Sequence, residues 1–90
     1  MHRVFYTKAA RTDIHKLEMG TARRIVKKIA FYSTQKEPLK FAKRMNNIAL
    51  GEFRFRIGSY RALFDVDSQG RILILMILRI KHRKDIYNLD

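Results

Sequence analysis

The spacing of apolar residues changes once along the chain, from a helical period to a strand period. Arg3 to Tyr6 is β-branched and aromatic and predicts a first strand. Apolar residues then recur three or four apart, which predicts a helix from about Lys8 to Glu18 and a second from Ala22 to about Tyr32. Gly20 and Thr21 are expected to end the first helix and cap the second. The two helices should form an antiparallel hairpin with one apolar side on a flat surface.

The second half of the chain alternates apolar and polar residues. Residues 39–45 are expected to add one or two helical turns, and Phe53–Ile57 and Tyr60–Val66 then follow a period of two. Gly58-Ser59 between them is a two-residue hairpin signal, and Arg71–Ile80 is the next strand. The predicted order is β-α-α-β-β-β with a short C-terminal tail. The predicted fold is one α+β domain over residues 1–90, a two-helix hairpin on one face of a small, largely antiparallel sheet.

A turn at Gly58-Ser59 fixes a register that separates an apolar hairpin face from a cationic one. The apolar face consists of Phe53, Phe55, Ile57, Tyr60, Ala62 and Phe64. On the other face Arg54 and Arg56 stand about 7 Å apart, and Arg61 lies directly opposite Arg56. Like charges placed opposite each other are destabilising, so this arrangement indicates an anion site, although basic residues on a solvated strand face are also common.

The last strand is apolar on both of its faces. A three-residue turn at Ser68–Gly70 predicts Ile72, Ile74, Met76 and Leu78 in the core. The same turn predicts Leu73, Leu75, Ile77 and Arg79 on the arginine face. A strand that is apolar on both faces is normally covered on both. We therefore expect the tail from His82 to Asp90, or another molecule, to cover the arginine face.

Composition narrows the classes of partner. The 90 residues carry 20 Lys and Arg against 8 Asp and Glu, which gives a formal net charge of +12. This charge indicates a polyphosphate, an anionic membrane surface or an acidic protein as partner. The absence of cysteine excludes a disulfide framework and fits the cytoplasm, and the three histidines are too scattered for a metal site. We expect no metal, no cofactor and no membrane-spanning segment.

Two segments resemble a known family. The hairpin 53–66 and the ending His82-Arg83-Lys84-Asp85-Ile86-Tyr87 resemble the RelE/ParE toxin superfamily, and the order of elements fits as well. The resemblance implies the toxin of a type II toxin–antitoxin pair. RelE-like members cut mRNA in the ribosomal A site, whereas ParE-like members poison DNA gyrase. The residues that match the catalytic positions of the RelE-like branch, and so favour it, are Arg54, Arg56, Arg61, Arg83 and Tyr87.

The resemblance implies a cleavage chemistry that these residues can support. The 2′-hydroxyl of RNA is the nucleophile, so the protein supplies a base, cations for the phosphorane and an acid for the 5′-oxygen. Arg61 and Arg83 would hold the phosphate, and Tyr87 would stack on a base or transfer a proton. Arginine stands where relatives often have strand lysines, and it is a poor base. The base is then Tyr87, His82 as a weaker candidate, or Glu52; the alternative is that the site has no strong base and the enzyme is slow.

Partners follow from the charge and from the resemblance. We expect a ribosome carrying mRNA in its A site, and an acidic antitoxin that covers Leu73, Leu75 or the cationic face. The residues expected to contact RNA outside the catalytic set are Arg23, Arg24, Lys27, Lys28, Arg79, Lys81 and Lys84. Lys81 replaces a glycine that is common in relatives. The alternatives are a ParE-like gyrase inhibitor without RNA chemistry and an inactive basic domain that binds RNA or anionic lipid through charge alone.

Overall fold

Residues 1–86, which the computed structural model describes, form a five-stranded sheet with two helices on one face. The strands are β1 (Arg3–Tyr6), β2 (Ala42–Arg44), β3 (Phe53–Ile57), β4 (Tyr60–Gln69) and β5 (Ile72–His82). The helices are α1 (Lys8–His15), α2 (Met19–Thr34) and the single-turn α3 (Arg83–Ile86). The sheet order is β1-β5-β4-β3-β2, with β1 parallel to β5 and the other pairs antiparallel. The predicted fold class is confirmed.

The two helices begin at side-chain caps, and the second cap differs from the prediction. Thr7 Oγ1 accepts the Ala10 N–H at 3.1 Å and starts α1. The carboxylate of Glu18 accepts the N–H groups of Gly20 and Thr21 at 2.8 and 3.1 Å and starts α2. The expected helix end at Gly20 and cap at Thr21 are therefore wrong, because an acceptor two residues earlier already satisfies the free N–H groups.

The inner face of the sheet, beneath α1 and α2, holds an aromatic core. The ring of Phe55 stacks between Tyr32 and Phe64, with centroid distances of 4.5 and 4.3 Å. Ile25 and Ile29 of α2 are buried against these rings. The predicted apolar face of the hairpin is confirmed, since all six of its residues belong to this core or pack on it. Burial of these large side chains is the main source of stability.

The segment predicted as helical turns at 39–45 is partly a strand. Pro38–Phe41 forms a 3₁₀ turn, and Ala42–Arg44 then pairs antiparallel with Phe53–Phe55 as β2. The β2 strand has only three residues, which are too few to show an alternating pattern in the sequence. Hydrogen bonding to the free edge of β3 decides the conformation.

The faces of β5 are the reverse of those predicted over its first half. A two-residue turn at Gly70-Arg71, with Gly70 at φ +63°, pairs Gln69 with Ile72. One residue fewer in the turn moves each side chain to the other face. The residues that enter the inner core are therefore Leu73, Leu75 and Ile77, whereas Ile72, Ile74 and Met76 take the outer face. A partner cannot cover Leu73 and Leu75 as expected, because the helices already do.

A β-bulge then restores the predicted side for the end of β5. The register shifts between Leu63 and Phe64, which leaves Leu78 as the extra residue on β5. Arg79 consequently pairs with Leu63 on the outer face, and Ile80 pairs with Ala62 in the core. Leu78, predicted in the main core, is only partly buried and lies outside both clusters of buried residues. Because of this bulge, β5 directs apolar side chains into the inner core both before and after Leu78.

The outer face of the sheet has a small core of its own. Leu63 is fully buried there under Met45 and Ile86, with Leu50 beside them. The described part of the tail therefore covers the arginine face at one place, through Ile86. No helix within residues 1–86 has both the length and the apolar character needed to span a membrane.

Two regions of the outer face remain uncovered by this small core. The cationic half lies at the β3–β4 turn and comprises Arg54, Arg56, Arg61 and Lys81. The apolar half lies at the opposite end of the sheet and comprises Phe5, Ile72 and Met76. Phe5 is 53% exposed, and Ile72 and Met76 are also exposed. The outer face thus offers one charged and one apolar surface.

Candidate functional site

The β3–β4 turn gathers arginines on one side of the sheet. Gly58 has φ +59°, and Ser59 does not have a positive φ, which fits the tight two-residue turn that the sequence predicts. The register is the predicted one, with Arg56 opposite Arg61 and Arg54 opposite Leu63. The side chains of Arg54, Arg56 and Arg61 therefore project from adjacent positions of two strands.

Arg61 is the centre of this cluster. Its Nη1 donates hydrogen bonds to the carbonyl oxygens of Gly58 at 3.0 Å and Tyr60 at 2.8 Å. Partial burial lowers the pKa of the Arg61 guanidinium, and the positive charges of Arg56, Arg54 and Arg83 lower the pKa further. The bonds to the turn fix the guanidinium through one nitrogen, which leaves Nε and Nη2 to bind a ligand.

Arg83 joins the cluster because the start of α3 is tied to the hairpin turn. The backbone N–H of Arg83 donates to the Ser59 carbonyl oxygen at 2.8 Å. Three residues later Ile86 is buried against Leu63 and Met45. This backbone bond and this apolar contact hold the single turn of α3 beside Arg61. We call Arg54, Arg56, Arg61 and Arg83 the arginine cluster.

Arg54 stands at the rim of the small outer core. Its Nη1 donates to Sδ of Met45 at 3.3 Å, and its side chain is only partly exposed. Arg56, the next residue on the same face, is exposed. The arginine cluster therefore combines two side chains that are held in place, Arg54 and Arg61, with two that are exposed to solvent, Arg56 and Arg83.

His82 is engaged by its neighbours in a way that bears on proton transfer. Its ring meets Tyr60 edge to face, with centroids 5.2 Å apart, and its Nδ1 accepts the Lys84 N–H at 3.2 Å. A neutral histidine whose Nδ1 accepts a hydrogen bond carries its proton on Nε2. In this arrangement His82 can donate a hydrogen bond from Nε2 but offers no lone pair there to accept a proton.

Glu52, the third candidate for a base, is used by the backbone. Its Oε1 accepts the Val66 N–H at 2.9 Å, and its own N–H donates to Asp65 Oδ1 at 2.9 Å. These bonds extend the pairing of β3 and β4 beyond Phe53–Phe64, at the end of the hairpin remote from Gly58. The structure therefore gives Glu52 a role in holding the two strands together.

The remaining predicted RNA contacts divide by location. Lys81 pairs with Arg61 and Lys84 is exposed on α3, so both adjoin the arginine cluster. The helical group Arg23, Arg24, Lys27 and Lys28 is exposed on α2, on the other side of the sheet. Tyr87 lies outside the described residues, so its predicted role stays a prediction.

Arg79 has a partner that the sequence did not indicate. Its Nε and Nη2 bond both carboxylate oxygens of Asp13 on α1, at 2.8 and 3.0 Å. The same carboxylate accepts the Ile80 N–H at 2.9 Å, where β1 has ended and the edge of β5 is open. Partial burial acts to raise the pKa of Asp13, but these hydrogen bonds and the charges of Arg79 and Lys81 outweigh burial and lower it. Asp13 sits 66 residues from Arg79, and no local pattern marks such a pair.

Comparison with known proteins identifies the family of this chain. Residues 4–87 match the family model described as the ParE toxin of the type II toxin–antitoxin system parDE. The chain is 37% identical over 84 residues to Toxin RelG of Mycobacterium tuberculosis, covering 93% of each chain. The protein belongs to the RelE/ParE superfamily of type II toxins.

Two solved structures share the fold. One is the RelBE2 toxin–antitoxin complex of Mycobacterium tuberculosis, with a TM-score of 0.70 and 33% identity, covering 91% of this chain and 98% of that chain. The other is the RelB–RelE antitoxin–toxin complex of Methanococcus jannaschii, with a TM-score of 0.58 and 21% identity, covering 94% and 96%. The second likeness concerns the fold alone.

Proposed function

We propose that this toxin is an endoribonuclease that cleaves mRNA on the ribosome by metal-independent attack of the 2′-hydroxyl. The observation that carries the proposal is the arginine cluster, in which Arg54, Arg56 and Arg83 stand close enough to Arg61 for their charges to lower its pKa. Like charges gathered in this way cost stability, and an anion that bridges them removes that cost. The substrate would place the activity in the cytoplasm.

Within this proposal Arg61 and Arg83 grip the scissile phosphate. Two or more guanidinium groups on the non-bridging oxygens stabilise the charge that grows as the 2′-oxygen attacks phosphorus. Arg61 suits this role because its bonds to Gly58 and Tyr60 fix its position before substrate arrives. Arg56 and Arg54 supply further positive charge along the same strand. The product would be a 2′,3′-cyclic phosphate and a free 5′-hydroxyl.

The proton transfers fall to the C-terminal segment. In the neutral form His82 can donate a hydrogen bond from Nε2 to the leaving 5′-oxygen, whereas full proton transfer from His82 requires the imidazolium form, in which Nδ1 gives up its bond from the Lys84 N–H. Tyr87 stays the proposed base or stacking residue. An arginine-rich site without a strong base would be slow, and ribosomal positioning of the mRNA would then contribute much of the rate.

An acidic antitoxin is the proposed partner. The related structure with 33% identity is a toxin–antitoxin complex, RelBE2. The cationic half and the apolar half of the outer face here would fit an amphipathic acidic segment, with its apolar residues on Phe5, Ile72 and Met76. Such a segment would block the arginine cluster.

The experiment compares Arg61→Ala with Arg71→Ala, a control that removes an exposed arginine in the β4–β5 turn. Arg61→Ala should relieve growth arrest and reduce cleavage by about 100-fold or more, as loss of a transition-state contact does. Arg71→Ala should remain toxic. Primer extension on mRNA from expressing cells provides the readout, with circular dichroism to check folding. A folded Arg61→Ala protein that cleaves like the parent would contradict the proposal.

Gyrase inhibition is the second candidate, because the matching family model carries the ParE name. Expression would then produce DNA breaks without new mRNA 5′ ends, and Arg61→Ala would matter only if the gyrase contact uses this surface. An inactive RNA-binding domain would produce neither. The primer-extension assay and a DNA-break assay on the same cells separate the three.

A further inference from the structure

One side of α2 carries two cations and an exposed ring in line. Arg24, Lys28 and Phe31 are four and three residues apart, so they follow one side of the helix over about 10 Å. A groove of about 460 Å³ follows this side, and its lining includes all three residues together with Arg23 and Lys27. We call Arg24, Lys28 and Phe31 the α2 stripe.

The far end of the α2 stripe is a pair of exposed aromatic rings. Phe31 is 49% and Phe41 is 46% exposed, and their ring centroids lie 6.4 Å apart, edge to face. Behind them Tyr32 stacks on Phe41 at 5.0 Å and on Phe55 in the core at 4.5 Å. A continuous column of rings thus anchors the exposed pair to the inner core, which makes the pair a rigid platform.

Positive charge adjoins the platform. Nζ of Lys28 lies 5.2 Å from the Phe31 ring centroid and 5.5 Å from that of Tyr32. Exposed aromatic rings beside cations are the combination by which proteins hold single-stranded nucleic acid, with bases on the rings and phosphates on the cations.

The near end of the α2 stripe reaches the arginine cluster. A methyl group placed on Gly58 would lie 3.8 Å from Nη2 of Arg24, so this guanidinium stands over the hairpin turn. On the other side of the same turn, Arg61 donates to the Gly58 carbonyl oxygen. Positive charge is therefore continuous from the outer face, around the turn, to α2.

We propose that the substrate RNA strand continues from the arginine cluster around the hairpin turn onto the α2 stripe, with a phosphate near Arg24 and Lys28 and a base on the Phe31–Phe41 platform. This inference rests on the proposed function. An acidic peptide would also satisfy the cations, but an exposed aromatic ring that is packed against further rings favours a planar base. Stacking tolerates any base, so the platform would add affinity without sequence preference.

The test uses fluorescent 2′-O-methyl oligoribonucleotides, which cannot be cleaved because the nucleophile is blocked. One of about four nucleotides fits the arginine cluster alone, and one of about twelve can also reach the α2 stripe. The parent protein should bind the longer one more tightly. Phe31→Ala should weaken the longer one about tenfold, which corresponds to about 1.4 kcal/mol, and leave the shorter one unchanged.

Controls separate stacking from other effects. Phe31→Tyr keeps the ring and should keep the affinity, and Met19→Ala removes an exposed apolar side chain (67% exposed) from the same helix and should change nothing. The double variant Arg24→Gln, Lys28→Gln should reduce the magnitude of the slope of log affinity against log salt by about 1.4 for the longer oligonucleotide, because each phosphate contact on a single strand contributes about 0.7.

Several outcomes would overturn the inference. One is equal affinity of the parent for both lengths. Another is an equal loss of affinity for both lengths in Phe31→Ala. A third is that Phe31→Ala leaves oligonucleotide binding unchanged and weakens only binding to ribosomes or to a co-purifying acidic protein. Because the probes are not cleavable, the length effect is measured independently of catalysis. A protein that cleaves no mRNA but shows the length effect would contradict the proposed nuclease while supporting the RNA path.

Discussion

The two faces of the sheet are covered in different ways. The inner face lies under two amphipathic helices and holds Phe55 and Phe64 with no exposure to solvent. The outer face has only the small cluster around Leu63, supported by residues 45–50 and by α3. The inner face therefore provides a stable framework, and the outer face leaves its charges accessible.

This difference shows why so small a chain can carry four arginines in one place. The favourable burial on the inner face offsets the repulsion and incomplete coverage on the outer face. Substitutions on the inner face should therefore mainly lower stability, whereas substitutions in the arginine cluster on the outer face should mainly lower activity. The following variants test this contrast, from the largest expected effect to the smallest.

Phe55→Ala should destabilise the protein by about 3–5 kcal/mol, because it removes a fully buried ring stacked on two others. Urea unfolding followed by circular dichroism measures this. Phe5→Ala, on the apolar half of the outer face, should change the unfolding free energy by less than about 0.5 kcal/mol. Similar losses in both variants would mean that the outer face is as fully packed as the inner one.

Asp13→Asn should cost about 1–2 kcal/mol at pH 7, since it weakens the bonds to Arg79 and to the Ile80 N–H. Because the pKa of Asp13 is lowered in the folded state, the stabilisation is present above the unfolded value of about 3.9 and is lost as pH falls through the folded value. Urea midpoints from pH 7 to pH 2 should converge for the two proteins. A constant difference across this range would contradict the assignment.

Arg56→Ala should stabilise the fold by about 0.5 kcal/mol while reducing cleavage, since it removes a like charge opposite Arg61. The gain should shrink at high salt, because salt screens exposed charges. Unfolding at low and high salt, with primer extension on the same variant, gives both readouts. A loss of stability would show that Arg56 contributes packing.

His82→Asn should change stability by less than about 0.5 kcal/mol, since its side-chain oxygen can replace Nδ1 as acceptor for the Lys84 N–H. If His82 serves only to hold the start of α3, His82→Asn keeps its cleavage activity. His82→Ala, which lacks an acceptor for the Lys84 N–H, should then cleave more slowly. Loss of cleavage in both variants with unchanged folding would instead assign proton transfer to His82.

The hairpin was predictable because one signal decided it. Gly58-Ser59 fixes the turn, and alternation on both sides fixes the faces, so the register of Arg56 with Arg61 follows from the sequence. The faces of the β5 strand were not predictable, since the strand is apolar on both faces and alternation carries no information there. A turn one residue shorter than expected reverses its first half, and the bulge at Leu78 reverses it again.

The candidate site was predictable only where it lies on that hairpin. The proximity of Arg83 depends on its backbone bond to Ser59, and the pairing of Asp13 with Arg79 depends on where the edge of β5 is left open. Contacts of this kind join distant parts of the chain and leave no local pattern. The platform of Phe31 and Phe41 could have been suspected from an aromatic residue on the basic side of α2.

The pairing of the first strand with the last has a consequence for synthesis of the protein. Val4 lies opposite Leu75, and Thr7 donates to the Leu78 carbonyl oxygen 71 residues later. A nascent chain therefore cannot complete its sheet until almost all of it has left the ribosome, and contacts this distant slow folding. The arginine cluster needs Arg83, so it is assembled only after that residue has also emerged.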